Sequence, residues 1–391
     1  MKKIVLLFNR YTEYATSAYI GFVIIILGLM SAGRGSEDDI FWIMMVPAVA
    51  LLGFKLVFTK YRLFEVIVVV FGFLVVLLPF LKNREYHFLL SYLAIVGAKN
   101  VDFKKIFKCG AWVRFALVVS TMALAYVGLI EDTVNSWMPK YINGELQIFQ
   151  LRTLGFNHPN HSFFAIYSTA LLLMMTYKFF RKWYGIAILS LPIYFMYKVF
   201  VCRSGLVMWI CTVFLWAVCC LAKKIKLGKV FGILLSIVPG LVWAVSYGAV
   251  GLWNYAGTHP ENVKAVEWAQ RLDNVVTGRL HLAQNVLLEW KDLLTGKEVS
   301  QFFDNSYMHM TYNYGYIVMF LFLVGITIAI IKWYKAGYEY YAVALVAMSG
   351  YMFMEMLPIN IGWDIVLILI SAALYPIEKN EVDCEDSLLM Q

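Results

Sequence analysis

Charge is what this chain has least of. Only 15% of its 391 residues are Asp, Glu, Lys or Arg, while 61% are hydrophobic. A soluble domain of this size needs a far more charged surface, so the composition excludes one and makes a bilayer the solvent for much of the chain. Cysteine is scarce as well. Six occur, at 109, 202, 211, 219, 220 and 384, with no CxxC spacing. That excludes a disulfide framework and argues against a zinc site. Neither GxxxxGK[ST] nor GxGxxG is present, so there is no nucleotide-phosphate loop, and an ATP-driven machine does not fit. A DxD metal clamp is missing too; "EDD" at 37–39 reads as a solvated loop. No basic, aromatic-interleaved soluble segment exists, which argues against a nucleic-acid partner. The net charge of +8 instead fits cytoplasmic loops beside anionic lipid headgroups. No repeat of fixed period and no low-complexity tract interrupts the chain.

What is present is a series of apolar runs. A crossing helix needs about 20 apolar residues. Twelve segments qualify, at roughly 14–30, 40–58, 63–81, 86–98, 111–130, 162–179, 184–201, 204–222, 230–250, 316–332, 338–355 and 360–376. The fold expected is an all-α polytopic membrane protein, one membrane domain over 1–391. "MKKIVLLF" carries no small-residue cleavage site and reads as a retained start, with the first span as a signal anchor. With the N-terminus in the cytoplasm, nineteen Lys and Arg fall in inside segments and six in short outside loops. This asymmetry puts both termini inside. It puts two larger segments outside: 131–161, expected to lie along the interface, and 251–315, a long loop with its own short helices. Helices are expected over "ENVKAVEWAQRL" and over 277–296, the second capped by Thr277 and stopped by Gly296. Residues 377–391 are expected to be a disordered cytoplasmic tail. Arg114 and Lys55 read as cytoplasmic-end anchors, and Lys198 as a snorkelling side chain.

Three outside stretches concentrate polar groups. The first is "LRTLGFNHPNHSFF", residues 151–164, with Arg152, Asn157, His158, Asn160 and His161 around Pro159. His158 and His161 share a face if the chain is already helical there. The bland alternative is a helix start in which His and Asn cap backbone amides; the functional one is the wall of a polar pocket. "NHS" at Asn160 matches a glycosylation sequon but lies too close to the next span to be used. The second stretch is "TGRL", 277–280. An Arg279 in a first helical turn opposes the dipole and suits a bound anion, shared with the free amides. A solvated loop arginine is the alternative. The third is "DNSYMHMTYNYGYIVMF", with Asp304, Asn305, Tyr307 and His309 leading into a span. Its alternative is an interfacial aromatic belt. Arg203 and Glu355 stand at outer ends of apolar segments, where an ionisable residue marks a functional site by default. Asp364 also lies in an apolar segment.

"LGFNHPN" resembles the G-F-x-H-P-N stretch of bacterial Wzy-type polysaccharide polymerases. "TGR" before a helix and "DNSYMHMTYNYGYI" are similar to the second half of their long outer loop. The last of these resembles the (His or Asp)-Asn-x-x-Leu…Gly-hydrophobic-hydrophobic pattern shared with O-antigen ligases. Ligases carry His where this chain has Asp304, which favours polymerase over ligase. The resemblance implies a GT-C-like glycosyltransferase in the bacterial cytoplasmic membrane, active on its outer face. The donor and acceptor would be polyprenyl-pyrophosphate-linked oligosaccharides, with no cofactor and no metal. Membrane lipid, a flippase and a chain-length regulator would be its partners. The chemistry then expected puts Arg279 and Arg203, with Arg152 less central, on the departing diphosphate. His158, Asp304 and His309 become candidate bases. Asn157, Asn160, His161, Asn305, Tyr307 and Glu355 would bind substrate, and Trp137, Tyr255 and Tyr307 could stack on sugars. The competing classes are a ligase and a flippase or exporter of lipid-linked oligosaccharide. A sensor or scaffold would have no need for so many Arg and His residues in one layer.

Overall fold

Inside a bilayer a backbone amide has no water to bond, so apolar runs close their hydrogen bonds within helices. The computed structural model describes residues 2–33, 38–132, 136–142, 145–275, 279–280, 292–297 and 304–377. In chain order its helices are α1 (Lys2–Ser31), α2 (Asp39–Val57), α3 (Leu63–Asn83), α4 (His87–Gly97), α5 (Phe103–Tyr126), α6 (Pro159–Thr176), α7 (Lys178–Arg181), α8 (Trp183–Phe200), α9 (Arg203–Lys224), α10 (Gly228–Thr258), α11 (Val263–Val275), α12 (Ser306–Lys335) and α13 (Glu339–Tyr351). A 3-10 turn at Leu357–Ile359 and a 3-10 helix at Ile365–Ala373 follow. Among the described residues, eight helices are long and apolar enough to cross a membrane: α1, α2, α3, α5, α8, α9, α10 and α12. The remaining expected segments coincide with α4, α6, α13 and the 3-10 helix. The chain is therefore a helical, polytopic membrane protein. The tail expected to be disordered lies, from residue 378, outside the described residues.

One departure from an all-α fold is a hairpin. β1 (Ser136–Ile142) pairs antiparallel with β2 (Glu145–Leu151), Ser136 opposite Leu151. The sequence joins them through Asn143-Gly144, the dipeptide most favoured in two-residue hairpin loops. The hairpin falls within segment 131–161, the one expected to lie along the interface.

Contacts divide the chain into two units. Unit 1 comprises 1–60, 97–215 and 361–365; unit 2 comprises 61–96, 216–360 and 366–391. In unit 1, α5 begins at Phe103, eight residues before the expected span. That shift carries Arg114 into the helix interior, where it is fully buried. Its guanidinium donates to Ser31 Oγ at 3.3 Å, Ser168 Oγ at 2.8 Å and the Gly362 carbonyl at 3.3 Å. Arg114 is thus not a cytoplasmic-end anchor but a polar tie between α1, α5, α6 and the 361–365 segment. Lys55 is likewise buried rather than anchored in water.

Unit 2 centres on α12, and α12 is broken. Gly315 has φ 86° and ψ 166°, a region only glycine enters readily. Residues 306–315, just before and at the break, are all buried. A break frees backbone groups that must be bonded again. The 292–297 segment does this. Lys297 N donates to Tyr312 O at 2.7 Å, and Ile317 N donates to Leu293 O at 3.3 Å. Lys82 supports the segment through Asp292 Oδ1 at 3.4 Å and Thr295 Oγ1 at 3.2 Å. Asn83 Nδ2 donates to the Asn313 carbonyl. A methyl group at 315 would stand 2.6 Å from Leu293 O. Gly315→Ala should therefore lower stability by about 1–3 kcal/mol, read as a lower thermal midpoint in detergent. An unchanged midpoint would mean that the break is not needed.

Candidate functional site

The site grows from the N-terminus of α12 in unit 2. Asn305 caps the helix, its Oδ1 accepting from Met308 N at 3.1 Å. Its Nδ2 donates to Ser246 Oγ on α10 and to Phe353 O, both at 3.0 Å. Asn305 is therefore a structural stitch, and its amide is committed to the scaffold. Ser306 N donates to Met352 O at 2.8 Å, and Ser306 Oγ donates to the Glu355 carbonyl. These bonds fix the 352–355 turn against the start of α12.

Arg279 enters between them. Its Nε is 2.9 Å from Asp304 Oδ2, and its Nη2 is 2.9 Å from Glu355 Oε1. The backbone beside it is held too, since Leu280 N donates to Asp273 Oδ1 at 2.7 Å from the end of α11. Asp304 keeps 27% of its side-chain surface and Glu355 only 6%. Glu355 is the buried brace, and Asp304 is the more open member. One guanidinium against two carboxylates leaves the trio with a formal charge of −1. An anion approaching Arg279 must compete with carboxylates already there. Residues 279 and 280 themselves lie in irregular chain. Thr277 and residues 281–291, where the helix was expected, lie outside the described residues. Gly296, expected as a helix stop, has φ 65° and closes the 292–295 turn onto Asp292 O.

No family model, no curated protein and no solved structure matches this chain.

One turn further along α12 lies a second polar group. His309 Nε2 is 2.6 Å from Glu85 Oε1, and His309 Nδ1 is 3.0 Å from Asn313 Nδ2. Nearby, His87 Nδ1 pairs with Asn360 Nδ2 at 3.0 Å. Glu85, His87, Asn313 and Asn360 were not singled out from sequence. The signal was there: "KNREYHF", 82–88, crowds polar and aromatic residues between two apolar runs as the 151–164 stretch does. Burial pushes the Glu85 carboxyl up, but the His309 hydrogen bond and the charges of His309 and His87 outweigh it. Its pKa lies below the ordinary glutamate value. A depressed carboxylate contributes stability that is present above its unfolded pKa and lost as pH falls through the folded one. The wild-type thermal midpoint should thus fall more steeply below about pH 5 than that of Glu85→Gln. Equal slopes would remove the pairing as a source of stability.

Tyr307 was expected to touch substrate. It is fully buried, and its hydroxyl donates to Ser349 O at 3.1 Å; a ring packed on both faces offers none to a sugar. Tyr255 is exposed and stacks on His259 at 4.3 Å. The side chain of Trp137 lies outside what is described.

The other expected residues belong to unit 1. His158 is the N-cap of α6, its Nδ1 accepting from Asn160 N at 3.1 Å, with Pro159 in the first turn. The capping alternative describes its geometry, and a nitrogen so engaged is a poor base. His161 shares a face with it, ring centroids 5.8 Å apart, and lies 5.2 Å from Trp363. Asn157 is exposed and Asn160 half-buried. Arg152 Nε pairs with Asp132 Oδ2 at 3.2 Å, and Asp132 also accepts from Thr153 N and Leu154 N. That pairing is local and structural. Arg203 opens α9 with an exposed side chain.

Proposed function

We propose that this chain is a membrane glycosyltransferase of the polysaccharide-polymerase type. It joins polyprenyl-pyrophosphate-linked oligosaccharide repeat units on the outer face of a bacterial cytoplasmic membrane. Twelve crossings, with both termini in the cytoplasm, accompany this reading. The observation that carries it is that two stretches resembling polymerase sequence, "TGR" and "DNSY", meet in one ion pair: Arg279 Nε lies 2.9 Å from Asp304 Oδ2.

In the reaction an acceptor hydroxyl attacks the anomeric carbon of the donor sugar. The new C–O bond forms as the bond to the diphosphate breaks, and polyprenyl pyrophosphate leaves with the electron pair. Negative charge grows on the departing oxygens, so a fixed guanidinium stabilises the transition state more than the ground state. Arg279 takes that role, and Glu355 holds its fork. The hydroxyl proton needs an acceptor, worth typically about 10²–10⁴-fold. Asp304, the more open carboxylate, takes it. As the diphosphate draws Arg279, Asp304 loses part of its ion pair and becomes a better base. His309, turned onto Glu85, is the second candidate. No step is assigned to Arg203, Arg152 or His158, which belong to unit 1.

One observation favours a transporter as the second reading. Transport sites form at discontinuous helices, and α12 breaks at Gly315 beside buried His309 and Asn313. Purified protein given lipid-linked repeat units in detergent separates the two. Longer glycans support the enzyme. None, with movement of the same lipid across liposome membranes, supports the transporter and ends the polymerase proposal.

A further inference from the structure

We propose that the cavity between α5, α6 and α8, in unit 1, holds one acyl chain of an anionic phospholipid, whose headgroup sits at the basic end of these helices. α5 and α8 each pack on α6, and a cavity of about 150 Å³ lies between them. Its floor includes Ala170 on α6 and Ile193 on α8, both buried. Its rim is open: Phe115 and Val119 on α5 are 46% and 50% exposed, and Pro192 on α8 is exposed. Among the described residues that line it, Thr169 alone is polar, and its hydroxyl donates to Ala165 O at 2.7 Å. That lining offers water no partner, and a site without polar partners stays dry. Phe115 to Met122 on α5 and Leu189 to Met196 on α8 bound the cavity lengthwise. At about 1.5 Å of rise per residue it is a slot about 10 Å long. Both helices are long and apolar enough to cross the membrane, so a lipid chain is what meets the open side of the slot.

Charge decides which lipid. Lys108 on α5 and Lys182 at the start of α8 are exposed. Each precedes the first lining residue of its helix, Phe115 or Leu189, by seven positions. Seven positions are close to two helical turns, so each lysine stands in line with the slot, about 10 Å beyond its end. Trp112 Nε1 donates to Tyr177 OH at 2.7 Å, which ties the early turns of α5 to the end of α6. Lys182 follows Tyr177 through the short α7, so both lysines stand at one end. Trp and Tyr favour the headgroup level. Lys182 Nζ also lies 5.8 Å from the Tyr184 ring, a contact that does not neutralise it. Asp102, an acid at that end, is the N-cap of α5 and accepts from Lys105 N. Two cations beside an apolar slot match one negative headgroup with its chain below. The charge asymmetry places this end in the cytoplasm, away from the face of the proposed glycosyl transfer. The occupant is accordingly a bilayer phospholipid and not a glycan carrier.

The test is native mass spectrometry of the full chain in detergent, with phosphatidylglycerol, phosphatidylcholine of the same acyl chains, and decaprenyl phosphate. Wild-type protein should retain one phosphatidylglycerol, ~10-fold or more over phosphatidylcholine. Ala170→Phe fills the slot and should weaken retention of both phospholipids ~10-fold or more. Ala170→Leu, a smaller change, serves if the Phe variant does not fold. Lys108→Gln/Lys182→Gln should keep chain binding and lose the preference for the anionic lipid. Equal wild-type retention of the two phospholipids overturns the proposal. So does wild-type retention in a folded Ala170 variant, an unchanged preference in the Lys108→Gln/Lys182→Gln protein, stronger retention of decaprenyl phosphate, or a lipid-free dimer.

Discussion

Arg279→Ala is expected to lower glycan polymerisation by about 10²–10³-fold, the usual loss when a preorganised charge stabiliser is removed. Its Nε is held by Asp304 and its Nη2 by Glu355, each at 2.9 Å. Arg279→Lys keeps the charge but not the fork, so it should recover only part of the activity. A structural explanation competes, because truncation leaves Asp304 facing a buried Glu355 with no cation between them. The double variant Arg279→Ala/Glu355→Gln separates the two. It removes the buried negative charge and should regain stability without regaining activity. The readout is the ladder of glycan lengths from lipid-linked repeat units, normalised to folded protein. A well-folded Arg279→Ala with a normal ladder would take the leaving-group role away from this residue.

Where the sequence was legible, the physics was local. α8 was expected at 184–201 and spans Trp183–Phe200, because apolar length alone decides it. A span was expected to begin at 316, and α12 breaks at Gly315. The polar, aromatic run before that glycine is helical too, but with a separate axis. Arg279 stood out as a cation at an expected helix start, and Asp304 and Glu355 as charges beside apolar runs; the three meet. Their pairing was not readable, since no periodicity links positions 25 and 76 residues apart. The pairing of Glu85 was unreadable for the same reason: its partner His309 is 224 residues away. Directions of side chains were harder still. His158 and Tyr307 were chosen for chemistry and are used for capping and packing. Arg114 was misplaced because a basic stretch, "FKKIFK", joins the helix rather than preceding it.

Arg114→Ala is expected to destabilise the protein by about 3–5 kcal/mol, the range for removing one partner from a buried charged network. Three donors would vanish at once, leaving Ser31 Oγ, Ser168 Oγ and the Gly362 carbonyl without the group that joins them. Asp364, also buried, interacts electrostatically with Arg114, so its charge would lose a counter-charge. Two causes thus act together, and a cycle tells them apart. Arg114→Met restores volume but neither charge nor bonds, and should remain destabilised. Adding Asp364→Asn removes the orphaned charge. If the charge dominates, the Arg114→Met/Asp364→Asn protein should return most of the lost thermal midpoint in detergent. If the bonds to the serines and the carbonyl dominate, the double variant should melt no higher than Arg114→Met. An Arg114→Ala protein that melts with the wild type would show that α1, α5 and α6 pack without this tie.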